Sequence, residues 1–69
     1  MQVGVIKWFN HAKGYGFIEP SDGSKDVFVH ISTLSAAGIR DIREHQAVSF
    51  QTKEYKDKIS AINIELIPY

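Results

Sequence analysis

Apolar and polar positions alternate along this chain in short runs, and each run ends on a turn signal. Val3 to Asn10 is the first run, closed by His11-Ala12-Lys13-Gly14. Tyr15 to Glu19 is the second, stopped by Pro20, which has no N–H to give a sheet ladder. Asp22-Gly23, within Ser21 to Lys25, supplies the positive-φ position of a tight turn. Asp26 to Ile31 is the third run, rich in β-branched and aromatic residues. Ala47 to Thr52 and Ile59 to Leu66 are the fourth and fifth, joined by a polar hairpin from Lys53 to Lys58. Ser32 to Gln46 lacks the alternation and reads as a long connection. Within it Ser32 is expected to cap one helical turn through Leu34, and Gly38 to end any helix that continues. The pattern predicts an all-β fold: five short antiparallel strands, with no crossover helix, curled into a partly open Greek-key barrel that hides its edges.

The alternation also sorts faces. Tyr15, Phe17 and Glu19 share one side of the second strand, and Ile18 takes the other. In the third strand Val27, Val29 and Ile31 oppose Asp26, Phe28 and His30. Aspartate is rarely buried unpaired, so Ile18, Val27, Val29 and Ile31 are expected in the core. Tyr15, Phe17, Phe28 and His30 then face water. Two readings fit such a face. It is a binding surface, or it is a small cluster covered by the long connection, with cross-strand ring pairs adding ~0.2–1 kcal/mol each. Strict alternation turns Trp8 inward beside Ile6, and only a bulge would bring it out among the rings.

Composition narrows the classes. At 69 residues a single domain spanning 1–69 is expected, one that buries only about 60% of its unfolded surface. There is no cysteine, which removes disulfides and thiolate zinc sites. His11, His30 and His45 form no close ligand pair, so no metal and no cofactor is expected. Eight basic and eight acidic residues cancel, which excludes a polybasic protein holding nucleic acid by bulk charge. No apolar run approaches the ~20 residues of a membrane span, and the N-terminus lacks the regions of a signal peptide. The expected compartment is the cytoplasm, with no membrane partner. His30 lies near Asp26 and Ser32 in sequence, but no nucleophile is paired with a base and no phosphate loop is present. No enzyme, catalytic residue or small-molecule substrate is expected. Lys7 and Lys13 bracket the aromatic set. Rings beside cations suit single-stranded nucleic acid, whose bases stack at ~1–3 kcal/mol each while lysines meet phosphates. A duplex hides its base faces and could not use such a surface.

Three segments carry a resemblance: Gly4-Val-Ile-Lys-Trp-Phe-Asn10, Lys13-Gly-Tyr-Gly-Phe-Ile18 and Asp26-Val-Phe-Val-His30. They closely resemble the cold-shock domain, the second and third looking like its two ribonucleoprotein motifs. Gly38, Glu44, Gln46-Ala-Val-Ser-Phe50 and Ala61-Ile-Asn-Ile64 continue the similarity over essentially the whole chain. The resemblance implies a five-stranded oligonucleotide-binding (OB-fold) barrel that binds single-stranded RNA and DNA. It implies an RNA chaperone that melts weak structure, prevents transcription termination and takes part in translation regulation. Carried over, the platform is Trp8, Tyr15, Phe17, Phe28 and His30, with Lys7, Lys13 and Asn10 beside it. Ile31, Ile39 and Lys56 fall at its periphery.

Departures from the family pattern bear on strength. Tyr15 stands where phenylalanine is usual, and Ile31 and Ile39 stand where aromatic residues are common. His45 replaces a common glycine. The last hairpin reads Lys56-Asp57-Lys58-Ile59, without the usual glycine and proline and with Asp57 near the usual basic position. Weaker binding or a shorter footprint is expected. A monomer is expected, with domain exchange between two chains conceivable through the less specified hairpin. Two rival functions use the same barrel: a protein-binding module, and a ribosome-associated barrel resembling a translation initiation factor.

Overall fold

The computed structural model describes residues 2–68. Its strands are β1 (Gln2–Asn10), β2 (Tyr15–Pro20), β3 (Val27–His30), β4 (Ala47–Tyr55) and β5 (Lys58–Leu66). One short helix, α1 (Ile31–Ala36), follows β3. The sheet closes on itself in the order β1-β2-β3-β5-β4. The seams β1–β2, β2–β3, β1–β4 and β4–β5 are antiparallel, as the alternating runs predict. The closing seam, β3–β5, is parallel and has the single register pair Phe28↔Ser60. The reason is parity: directions cannot alternate at every seam of a closed ring with an odd number of strands. No helix among the described residues is long and apolar enough to cross a membrane.

The barrel interior is aliphatic. Ile6, Ile18, Val27, Val29, Val48, Ala61 and Ile64 fill it with one ring, Phe50, while Leu34 and Ile42 come from the long connection. Each of the larger side chains, from valine to phenylalanine, contributes about 1.5–3 kcal/mol when fully buried. Ile31 is a correction to the expected core. It is 40% exposed, because β3 stops at His30 and Ile31 begins the helix. The cap is also His30 rather than Ser32. His30 has extended backbone, and its Nδ1 accepts the Ser32 N–H at 3.1 Å. At the other end Gly38 adopts φ +77° and terminates the helix, as expected of it.

The β4–β5 hairpin is tighter than the sequence suggests. Tyr55 pairs with Lys58, so the turn is Lys56-Asp57 alone. Both residues sit at positive φ, +48° and +66°, the signature of a turn that favours Asn-Gly. Left-handed backbone costs an L-residue roughly 1–2 kcal/mol. Combining Lys56→Asn with Asp57→Gly is therefore expected to raise the thermal midpoint by about 4–8 °C per kcal/mol gained, measured by circular dichroism. A lowered midpoint would mean that the Lys56 and Asp57 side chains hold the turn themselves.

Candidate nucleic-acid interface

A bulge in β1 decides where Trp8 points. Ile6 pairs with Ile18, the register then shifts, and Trp8 pairs with Phe17. Lys7 is the extra residue, so Ile6 stays buried while Trp8 turns outward to 38% exposure. Strict alternation had placed Trp8 inside; the bulge overrides it. On β2 and β3, Phe17 pairs with Phe28 and Tyr15 with His30, which puts their side chains on one face. The ring centroids of Trp8 lie 5.7 Å from Tyr15 and 5.3 Å from Phe17. Phe28 continues the row, 5.8 Å from Tyr15, 5.9 Å from Phe17 and 6.3 Å from His30. None of these rings belongs to the interior cluster. They contact one another edge-to-face or tilted, except Tyr15 and Phe28, which stack at 26°.

Backbone packing sets this row. A Cβ on Gly16 would collide with the Trp8 carbonyl and stand 2.7 Å from the Phe9 ring. Glycine there lets β1 and β2 approach closely while Phe9 packs toward the core. Asn10 serves the β1–β2 turn: its Oδ1 accepts the Lys13 N–H at 3.0 Å, and its carbonyl accepts the Gly14 N–H at 2.8 Å. Asn10 thereby places Lys13, whose ammonium forms no ion pair among the described residues. With His30 Nδ1 accepting from Ser32, the neutral ring carries its proton on Nε2, away from the helix.

Lys7 does not stand free beside the rings. Its Nζ bonds Asp26 Oδ2 at 2.8 Å. The hydrogen bond and charge of Asp26 hold the Lys7 pKa above the ordinary lysine value. Ile31 and Ile39 come together with Ser35, Gly38 and Arg40 around a shallow depression of about 450 Å³. Lys56 lies at the hairpin tip, its Nζ 5.4 Å from the Tyr55 ring centroid. The sequence reading missed a groove of about 390 Å³ between β3 and β5, where Lys58, Ile59 and Ser60 meet Asp26, Phe17 and Phe28. No local signal marks it, since it exists only because β5 pairs with β3. Among the described residues no group of three or more His, Cys, Asp or Glu is placed to hold a metal ion.

Comparison with known proteins finds a family match over nearly the whole chain. The family described as the 'Cold-shock' DNA-binding domain matches residues 2–67. A probable cold shock protein of Sinorhizobium fredii is 49% identical, covering 94% of this chain and 97% of the relative. The major cold shock protein of Micrococcus luteus is 45% identical over 93% of this chain and 96% of its own. A cold shock-like protein of Rickettsia bellii is 48% identical, over 93% and 91%.

The Lys7–Asp26 bridge carries its own test. The part the lysine plays is fully present below its ordinary value of 10.5 and is lost as pH rises through the raised one. In an NMR titration Lys7 Nζ is expected to lose its proton later than a free lysine, and Asp26→Asn to bring it back toward the ordinary value. An unchanged titration in that variant would show that the bridge does not persist in solution.

Proposed function

We propose that this chain, which belongs to the cold-shock DNA-binding domain family, binds single-stranded RNA and DNA by stacking bases on Trp8, Tyr15, Phe17, Phe28 and His30. The domain binds nucleic acid and is not an enzyme. The observation that carries the single-strand reading is the unbroken row of ring contacts from Trp8 to His30 on the outside of the barrel. Stacking requires an unpaired base, so the row selects single strands. Lys13 meets the backbone phosphates, joined by Lys7 when a phosphate displaces Asp26. Ile31, Ile39 and Lys56 form the rim.

The function that follows is that of an RNA chaperone in the cytoplasm. A hairpin opens because the protein binds only its unpaired form, and the shift is mass action set by single-strand affinity. Such a shift regulates transcription termination and translation where short hairpins control them. The balanced charge keeps attachment to duplex weak and release easy. The domain acts as a monomer over residues 1–69.

Ring removal tests this. Phe17→Ala or Phe28→Ala is expected to weaken binding to oligothymidylate by ~1–3 kcal/mol, measured by fluorescence anisotropy, while the melting transition stays cooperative. Duplex of the same length should bind much more weakly than single strand at the same salt. Wild-type affinity in either variant, or collapse of the fold, would overturn the assignment of these rings to the binding face.

A further inference from the structure

We infer that the outer face carries a second stacking position at the β4–β5 hairpin, formed by Tyr55 with Lys58, which takes a further nucleotide of the strand held on Phe28. The inference rests on the single-strand reading above. Register places the residues. Phe28 pairs with Ser60 across the closing seam, Ser60 pairs with Lys53, and Lys58 pairs with Tyr55. Paired residues share a face, as do residues two apart in a strand. Phe28, Ser60, Lys58, Lys53 and Tyr55 therefore lie on one outer face. The alternate positions confirm the phase, since Ala61, paired with Thr52, is buried in the core.

The groove supplies the path. It runs from Phe17 and Phe28 to Lys58, with Ser60 and Ile59 between. Beyond Lys58 stands Tyr55, 67% exposed and the most exposed large hydrophobic side chain among the described residues. The two-residue turn fixes the ring's position on the strand. Lys56 lies over the Tyr55 ring at 5.4 Å, and Lys58 and Lys53 share its face. Against these stand Asp57 in the turn, Glu54 on the alternate side of β4, and Asp26 in the groove, already bonded to Lys7. A lone exposed tyrosine is ordinary. A tyrosine with lysines, joined by an apolar-floored groove to a row of stacked rings, repeats the ring-and-cation chemistry of that row. Two strand spacings and two residues separate Phe28 from Tyr55, about 12 Å on a flat sheet. One nucleotide cannot touch both, so the position adds affinity only for longer strands.

Length dependence tests it, read through Trp8 fluorescence with four- and eight-residue oligothymidylates. Tyr55→Ala and Lys58→Gln are each expected to weaken the eight-residue strand about fivefold or more and leave the four-residue strand unchanged. Tyr55→Phe keeps the ring and should keep wild-type affinity. Lys58→Gln should also flatten the salt dependence for the longer strand by a slope of about 0.7. If both variants hold the eight-residue strand as wild type does, the hairpin position is wrong and the main platform stands. If Tyr55→Ala weakens both lengths equally, the tyrosine acts through the fold and the inference is overturned. If the wild type binds neither length, the single-strand reading itself fails and takes this inference with it.

Discussion

The interior of this small barrel accepts aliphatic side chains and a single ring, and the position of every ring in the outer aromatic row follows from that limit. Ile18, Val27 and Val29 turn inward on β2 and β3. Period-two geometry then sends Tyr15, Phe17 and Phe28 outward, whatever the cost of wetting them. The β1 bulge extends the same rule, keeping Ile6 inside while releasing Trp8. Rings outside the core lose hydrophobic stabilisation, and their mutual edge, tilted and stacked contacts, worth ~0.5–1.5 kcal/mol a pair, offset part of it. Those contacts also hold each ring in place before any ligand arrives, which lowers the ordering cost of binding.

Charge is arranged to stay out of the way. The chain is neutral overall, and Lys7, next to Trp8 in β1, is taken up by Asp26. Lys13 forms no ion pair among the described residues and sits at the turn that Asn10 builds. Affinity that comes from rings rather than cations depends on unpaired bases and little on salt. A surface of this kind discriminates strand from duplex by geometry, since both carry the same phosphates.

Much of this was readable from residue order. The outward set Tyr15, Phe17, Phe28 and His30 follows from alternation, with Asp26 marking the wet side, because one period holds unbroken through β2 and β3. Trp8 did not follow, since a bulge adds one residue to a strand and leaves no mark in the pattern. Ile31 looked like a core residue because it continues the Val27-Val29 alternation. Its backbone instead joins a helix capped by the side chain of His30, a residue type with little tendency to be read as a cap. The groove at Lys58 and Ser60 was invisible because it depends on a pairing between segments some thirty residues apart in the chain. The charge-dense stretch Lys53 to Lys58 reads as one polar turn, whereas only Lys56-Asp57 form it, at strained positive φ.

Whether bases or phosphates supply the affinity can be measured directly. Trp8 fluorescence would be followed on adding an oligothymidylate and, separately, an abasic oligomer of equal length and charge. Stacking on the ring row predicts saturable quenching by the first and an affinity lower by at least an order of magnitude for the second. Equal affinity for the two would mean that the phosphate backbone alone is bound, and the aromatic row would have no part in recognition.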